Sequence, residues 1–72
     1  MMGERGDWTL VYSAGSLAEA ELVRGRLQEH DIESVVVDLG PRIYPQLSEA
    51  EVRVKRADVI RALHLVRNPE QS

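Results

Sequence analysis

Apolar and polar positions along the chain repeat with two different periods, and together they predict five regular elements. Three short segments rich in β-branched residues predict strands at Trp8–Ser13, Glu33–Leu39 and Ala50–Lys55. Two longer segments with apolar residues at helical spacing predict helices from Ser16 to about His30 and over Ala57–Arg67. The predicted order is therefore βαββα.

The first helix carries start and stop signals. Ser16 and Glu19 form a capping-box pattern, in which the hydroxyl accepts from the Glu19 amide and the carboxylate accepts from the Ser16 amide. Asp31 stands where a glycine would end the helix most comfortably, and we expect Ile32 to pack back onto the core. The stripe predicted to be buried comprises Ala20, Val23 and Leu27.

Alternation along the strands predicts which side chains face the helices. In the third strand, Val52 and Val54 point inward, and Glu51, Arg53 and Lys55 point outward. In the first strand, Trp8, Leu10 and Tyr12 share one face, and Thr9, Val11 and Ser13 share the other. Because Thr9 and Ser13 suit water, we expect Leu10 and Tyr12 to face the helices. The apolar face of the second helix comprises Val59, Ala62, Leu63 and Val66.

These elements predict an α+β domain with a ferredoxin-like split βαββα arrangement. A βαβ connection makes the first two strands parallel, and the third lies antiparallel between them, in the order 1-3-2 with two helices on one face. The last strand of the full pattern is missing, so the edge of the first strand is open to pairing. The domain spans residues 8–67, after a disordered lead-in at 1–7 and before a short tail at 68–72.

Composition narrows the functional classes. The 72 residues include no cysteine, and His30 and His64 are not in ligand spacing, so we expect no metal and no cofactor. A net charge of −3 argues against a non-specific nucleic-acid binder. No apolar run approaches the ~20 residues of a membrane span, and the charged N-terminus does not resemble a signal peptide, so we expect a cytoplasmic protein.

Catalytic patterns are absent from the sequence, which predicts that the protein is not an enzyme. It contains no nucleophile elbow, no zinc-protease motif and no phosphate-binding glycine loop. Gly15 and Ser16 precede a helix N-terminus, where anions bind, but Ser16 and Glu19 already occupy that end.

The long loop Gly40–Ser48 is the first candidate binding element. It carries Arg42 and Tyr44, residue types that are favoured anchors at protein interfaces. Alternatively, Ile43, Tyr44 and Leu47 fold back and cap the small core, and we favour this second interpretation.

Two further surfaces are candidates. Ala18, Leu22 and Gly25 form a narrow strip on the first helix, away from its buried stripe. Because a domain of this size has a marginal core, we expect a homo-oligomer that forms through this strip, the first strand's edge, or both. The basic residues Arg53, Lys55, Arg56 and Arg61 suggest an RNA-binding sheet as an alternative. That alternative needs Trp8 and Tyr12 on the outer face to stack on bases.

Three segments together resemble a small prokaryotic family of unknown function described as putative prokaryotic signal-transducing proteins. They are TLVYSAGSLAEAELVRGRLQEHDI at Thr9–Ile32, IYP at Ile43–Pro45 and VRVKRADVIRAL at Val52–Leu63. The most specific piece is EAELVRGRL at Glu19–Leu27, and the resemblance covers about Trp8 to Val66. Asp31 replaces the glycine that this family usually shows before the following isoleucine.

The resemblance implies a reduced version of the PII (GlnB-like) fold and a role in signal transduction. It transfers no catalytic residue and no metal role. In PII proteins the loop between strands two and three recognises partners, which makes Arg42 and Tyr44 candidates for partner recognition.

We therefore predict a non-enzymatic regulatory module that contacts proteins through Arg42, Tyr44 and Leu22. The alternatives are an RNA-binding sheet and a small-ligand sensor that binds nucleotides between subunits, as PII proteins do.

Overall fold

The computed structural model describes residues 8–40 and 49–67, which form a three-stranded sheet and two helices. The elements are β1 (Trp8–Ala14), α1 (Leu17–Glu29), β2 (Ser34–Asp38), β3 (Ala50–Lys55), a 3₁₀ turn (Arg56–Asp58) and α2 (Val59–Arg67). Each strand and each α-helix begins and ends within two residues of its predicted bounds. No helix among the described residues is long and apolar enough to cross a bilayer.

The sheet has the strand order β1-β3-β2, and both outer strands run antiparallel to β3. β1 and β2 are therefore parallel to each other, as a crossover through α1 requires. The predicted α+β class, the βαββα order and the 1-3-2 arrangement are confirmed. The central strand β3 contributes Val52 and Val54, which are fully buried, so its predicted inward face is also confirmed.

The core lies between one face of the sheet and the two helices. Its fully buried positions are largely alanine and valine, and the small alanine side chains let the helices approach the sheet closely. The buried residues are Val11, Ala14, Ala20, Leu27, Ile32, Ala50, Val52, Val54 and Ala62. Val59, Leu63 and Val66 pack against this cluster, so the predicted apolar face of α2 is confirmed.

A β-bulge in β1 changes which side chains face the helices. Leu10 pairs with Arg53 and Tyr12 with Val52, so Val11 is an extra residue without a partner on β3. Val11 is buried and Tyr12 packs against the core, whereas Leu10 is 40% exposed and lies on the outer face. The expectation that both Leu10 and Tyr12 face the helices is thus right for Tyr12 and wrong for Leu10, because the extra residue breaks the two-residue period.

The N-terminus of α1 is fixed by hydrogen bonds that also tie it to β1. Ser16 is the N-cap, and its Oγ accepts from the Glu19 amide at 3.1 Å, as predicted. The Glu19 carboxylate accepts from the Gly15 amide at 2.9 Å, one residue earlier than the Ser16 amide of the standard capping box. It also accepts from the Tyr12 hydroxyl, which belongs to β1. This pair joins the sheet to the first helix.

The C-terminus of α1 ends in a Schellman motif. The Ile32 amide donates to the Leu27 carbonyl at 3.0 Å, and the Asp31 amide donates to the Gln28 carbonyl at 3.0 Å. Asp31 therefore adopts φ +62°, in the left-handed region that favours glycine. Leu27 and Ile32 are both buried, so the turn directs Ile32 back onto the core as predicted.

The left-handed Asp31 leads to a stability prediction. Asp31→Gly relieves the steric cost of a Cβ at positive φ, and we expect the domain to gain about 1 kcal/mol of unfolding free energy. For a domain of this size that gain raises the thermal midpoint by about 4–8 °C. Thermal and urea denaturation followed by circular dichroism measure the effect.

Gly40→Ala is the matched control, for which the expected change in thermal midpoint has the opposite sign. It adopts φ +85° and has open space around its Cβ position, so Gly40→Ala introduces strain without a clash and should lower the midpoint. A lower midpoint for Asp31→Gly would show that the Asp31 side chain contributes more than its backbone strain costs.

The Tyr12–Glu19 pair predicts how stability depends on pH. The hydrogen bond from Tyr12, followed by that from the Gly15 amide, holds the pKa of Glu19 below its ordinary value of 4.5. The hydrogen bond to Glu19, followed by burial and by the carboxylate charge, raises the pKa of Tyr12 above 10.0. The pair therefore stabilises the fold fully between these values, and its contribution is lost as pH falls through the Glu19 pKa or rises through the Tyr12 pKa.

Tyr12→Phe removes the hydrogen bond and leaves the ring. We expect its urea midpoint to lie below that of the wild type at neutral pH, and the difference to shrink in acid and in strong alkali. Glu19→Gln is the control, because it can keep a hydrogen bond without a titrating carboxylate. A difference between Tyr12→Phe and wild type that stays constant with pH would contradict the assignment.

Candidate interaction surfaces

The face of the sheet away from the helices is covered by no element of the described chain. The strand register places its side chains in cross-strand rows, because directly paired residues point to the same side. Leu10, Arg53 and Val35 form one row, and Ser13, Glu51 and Val37 form the next. Trp8 lies opposite Lys55 at the end of the sheet. We call these eight residues the outer face.

An ion pair occupies the middle of the outer face. Arg53 donates from Nε and Nη2 to one oxygen of Glu51, at 3.1 and 2.9 Å. Its Nη1 donates to the backbone carbonyl of Trp8 at 3.3 Å. These bonds hold the guanidinium beside Glu51 and the start of β1, so the carboxylate neutralises the charge at the centre of the outer face.

Lys55 and Glu33 form a second charged group, beside the Trp8 indole at the end of the sheet. The Lys55 Nζ lies 5.7 Å from the centroid of the Trp8 ring, within the range of a cation–π contact. The same Nζ lies 3.7 Å from a carboxylate oxygen of Glu33. The predicted outward direction of Glu51, Arg53 and Lys55 is confirmed, and each of the three has a partner of opposite charge.

An RNA-binding sheet requires both Trp8 and Tyr12 on the outer face, and the structure places only one of them there. Trp8 lies on the outer face, but Tyr12 packs against the core and donates to Glu19. A single indole beside neutralised charges gives neither the aromatic row nor the positive field of an RNA-reading sheet.

The four basic residues singled out in the sequence do not form one cluster of unpaired charge. Arg53 and Lys55 lie on the outer face with acidic partners. Arg61 lies on α2, on the helical side, where it pairs with Asp58 at 3.0 Å. Arg56 is exposed in the 3₁₀ turn between them.

The helical layer exposes three large aliphatic side chains, Leu17, Leu22 and Ile60, and the last two are by far the most exposed. Leu22 on α1 is 72% exposed, so it points away from the core as predicted. Its neighbour in the strip, Gly25, has open space around its Cβ position. Ile60 on α2 is 79% exposed, which sequence reasoning missed. The sequence did contain a signal for this exposure, because Ile60 is out of phase with the apolar stripe of Val59, Ala62 and Leu63 on α2.

Two shallow grooves flank the C-terminal end of α1. One, of about 390 Å³, faces α2 and is lined by His30, Ile32, Ile60, Arg61, His64 and Leu65. The other, of about 340 Å³, lies beside the start of β2 and is lined by Arg24, Gln28, Asp31, Ile32, Glu33 and Ser34. Both are open to solvent.

Two of the three predicted contact residues, Arg42 and Tyr44, lie outside the described residues together with the rest of 41–48, so their role stays a prediction. The ends of that segment are fixed, since the Leu39 amide donates to the Glu49 carbonyl and the Glu49 amide donates to the Ala14 carbonyl. Within residues 8–40 and 49–67, no group of three or more histidine and acidic side chains is arranged to hold a metal ion.

Comparison with known proteins gives one match. The model of a family described as "Putative prokaryotic signal transducing protein" matches residues 8–70. No curated protein and no solved structure gives a significant match. The matched segment includes every described strand and helix, and it contains the three segments on which the resemblance was noted. The chain therefore belongs to the family of putative prokaryotic signal transducing proteins.

Proposed function

We propose that the chain is a non-enzymatic regulatory module that binds a protein partner on the outer face of its sheet. One observation carries the proposal: the two charges at the centre of this face, Arg53 and Glu51, are paired with each other, while an indole and three aliphatic side chains keep exposed area. Partly apolar surfaces that include an aromatic residue and an arginine are typical of protein interfaces.

The family's description supports a role in signal transduction, and regulatory proteins commonly act through such contacts. The strand order supports the likeness to a reduced PII fold. The Tyr12–Glu19 hydrogen bond raises the pKa of Tyr12 and lowers the pKa of Glu19. That pair joins β1 to α1 and caps the helix, which gives it a structural use.

The partner is best described by its chemistry. Leu10, Val35 and Val37 lie on either side of the Arg53–Glu51 pair, so a complementary surface presents apolar side chains at its centre. Burial of an ion pair that is already formed costs less than burial of unpaired charges. A polyanion gains little from Arg53, because Glu51 already holds that guanidinium, and Lys55 pairs only weakly with the exposed Glu33.

Site-specific photo-crosslinking in the native cell identifies the partner. A photoreactive residue at Leu10 should give one discrete protein adduct, and the same residue at Ile60 should not. Ile60 is the matched control, because it is an equally large exposed aliphatic residue on the opposite layer.

Titration with the purified partner then provides the decisive measurement. Trp8 is the only tryptophan of the chain and lies on the outer face, so its fluorescence should change on binding. Leu10→Lys should weaken binding about tenfold or more, since a charge buried without a partner in an apolar contact costs more than the ~1.4 kcal/mol that corresponds to a factor of ten in affinity. Ile60→Lys should bind as the wild type does. Equal affinities for Leu10→Lys and wild type would refute the proposal.

A second candidate function, RNA binding, is favoured by Trp8 beside Lys55 on the same face. Single-stranded RNA should then quench Trp8 fluorescence at low salt and lose its effect as salt rises. No quenching at low salt eliminates RNA. Quenching by RNA with no protein adduct at Leu10 would favour this candidate over the protein partner.

A further inference from the structure

The two edges of the sheet differ in regularity. β1 carries the bulge at Val11, which disrupts the ladder and increases the local twist. β2 pairs with β3 from Ser34 to Asp38 without any shift of register. Its outer edge carries three consecutive valines and no charged side chain between its ends. Proline and bulges normally protect an edge strand, and β2 has neither; its one charged residue, Asp38, lies at the end of the strand.

We propose that two copies of the chain pair through the β2 edge, antiparallel about a two-fold axis at Val36, to form a continuous six-stranded sheet. This contact is separate from the outer-face binding proposed above, because it uses the backbone edge of β2, whereas the outer face is built from side chains. It also replaces the β1 edge as the place of self-association, since the bulge makes β1 the poorer template.

The two ends of β2 are complementary under this symmetry. A two-fold axis at Val36 pairs Ser34 of one copy with Asp38 of the other, and it pairs Val35 with Val37. Ser34 and Asp38 lie on the helix side of the sheet, because they pair with the buried Val54 and Ala50. A hydroxyl and a carboxylate thus meet on the same side at each end of the contact.

Ser34 provides an independent observation. Its Oγ is buried and has no hydrogen-bond partner within the described part of the chain, which costs free energy in a single copy. Rotation about χ1 can redirect the hydroxyl toward the strand edge. Asp38 uses one carboxylate oxygen to accept from the Gly40 amide at 2.9 Å, and its other oxygen accepts no hydrogen bond from residues 8–40 and 49–67.

The groove beside the start of β2 supplies a cation for the same carboxylate. It is lined by Arg24 and Gln28, together with the acidic Asp31 and Glu33. Arg24 pairs with Glu21 at 2.9 Å, but both side chains are more than 40% exposed, so this pair is weak and the guanidinium can rotate to a second acceptor. Asp38 of its own chain is about 13 Å further along the strand and cannot reach the groove. The Asp38 that reaches it belongs to the second copy.

The expected mass of the wild type in analytical ultracentrifugation rises with concentration from 8.1 kDa toward twice that value. Arg24→Glu and Asp38→Arg should each return it to the monomer value. The double variant should dimerise again, because the reversed charges meet across the two-fold axis. Arg61→Glu, a charge reversal on α2, should behave as the wild type. Failure of the double variant to dimerise would overturn the role of the Arg24–Asp38 contact.

Cross-linking tests the register separately. The chain has no cysteine, so Val36→Cys introduces a single thiol that meets its own copy at the axis. Directly opposed strand residues have Cα atoms about 4.5–5.5 Å apart, which suits a disulfide. Mild oxidation should therefore give a covalent dimer of Val36→Cys but not of Leu10→Cys.

Two outcomes would overturn the proposal as a whole. The first is a monomeric mass at every concentration together with no cross-link from Val36→Cys. The second is a dimer that Leu22→Glu alone abolishes. Leu22 lies two residues from Arg24, about 200° around α1, so it faces away from the β2 edge. That result would show that the copies associate through the strip of Ala18, Leu22 and Gly25 on α1.

Discussion

The central position of β3 is the constraint on which the rest of the structure depends. It is the strand that pairs on both sides, so its six residues set the register of the whole sheet. Its inward residues, Val52 and Val54, are fully buried beneath the helices. Its outward residues, Glu51 and Arg53, form the ion pair at the middle of the outer face. One alternating segment therefore builds the core on one side and a neutral surface on the other.

Most of the fold could be predicted from the sequence because its local signals agree with one another. The cap at Ser16, the helical period of Ala20 and Leu27 and the alternation of Val52 and Val54 each predict the element that forms. Agreement of local signals with the final packing is what a well-specified sequence shows. Even the unfavourable Asp31 was recognisable, because the position after a helix end calls for positive φ whatever residue occupies it.

The orientation of β1 could not be predicted in full. An inserted residue leaves no mark in a two-residue period, since Val11 and Tyr12 are both apolar and either could face the core. The bulge is fixed by the pairing of Tyr12 with Val52, a contact between residues that are far apart in the sequence. The place of Leu10 on the outer face could not be predicted for the same reason, because it depends on the bulge that follows Leu10. Surfaces built from two or three strands depend on register, which single-strand patterns do not contain.

The bulge in β1 also determines how far self-association can go. A sheet with two regular edges can accept another copy on each side, so its growth has no natural end and leads toward fibres. In this domain one edge is regular and the other is interrupted at Val11. In the proposed dimer, pairing through β2 occupies the regular edge of each copy and leaves the bulged β1 strands at both margins. Such an assembly would close at two copies, because a single extra residue in the first strand prevents the sheet from growing further.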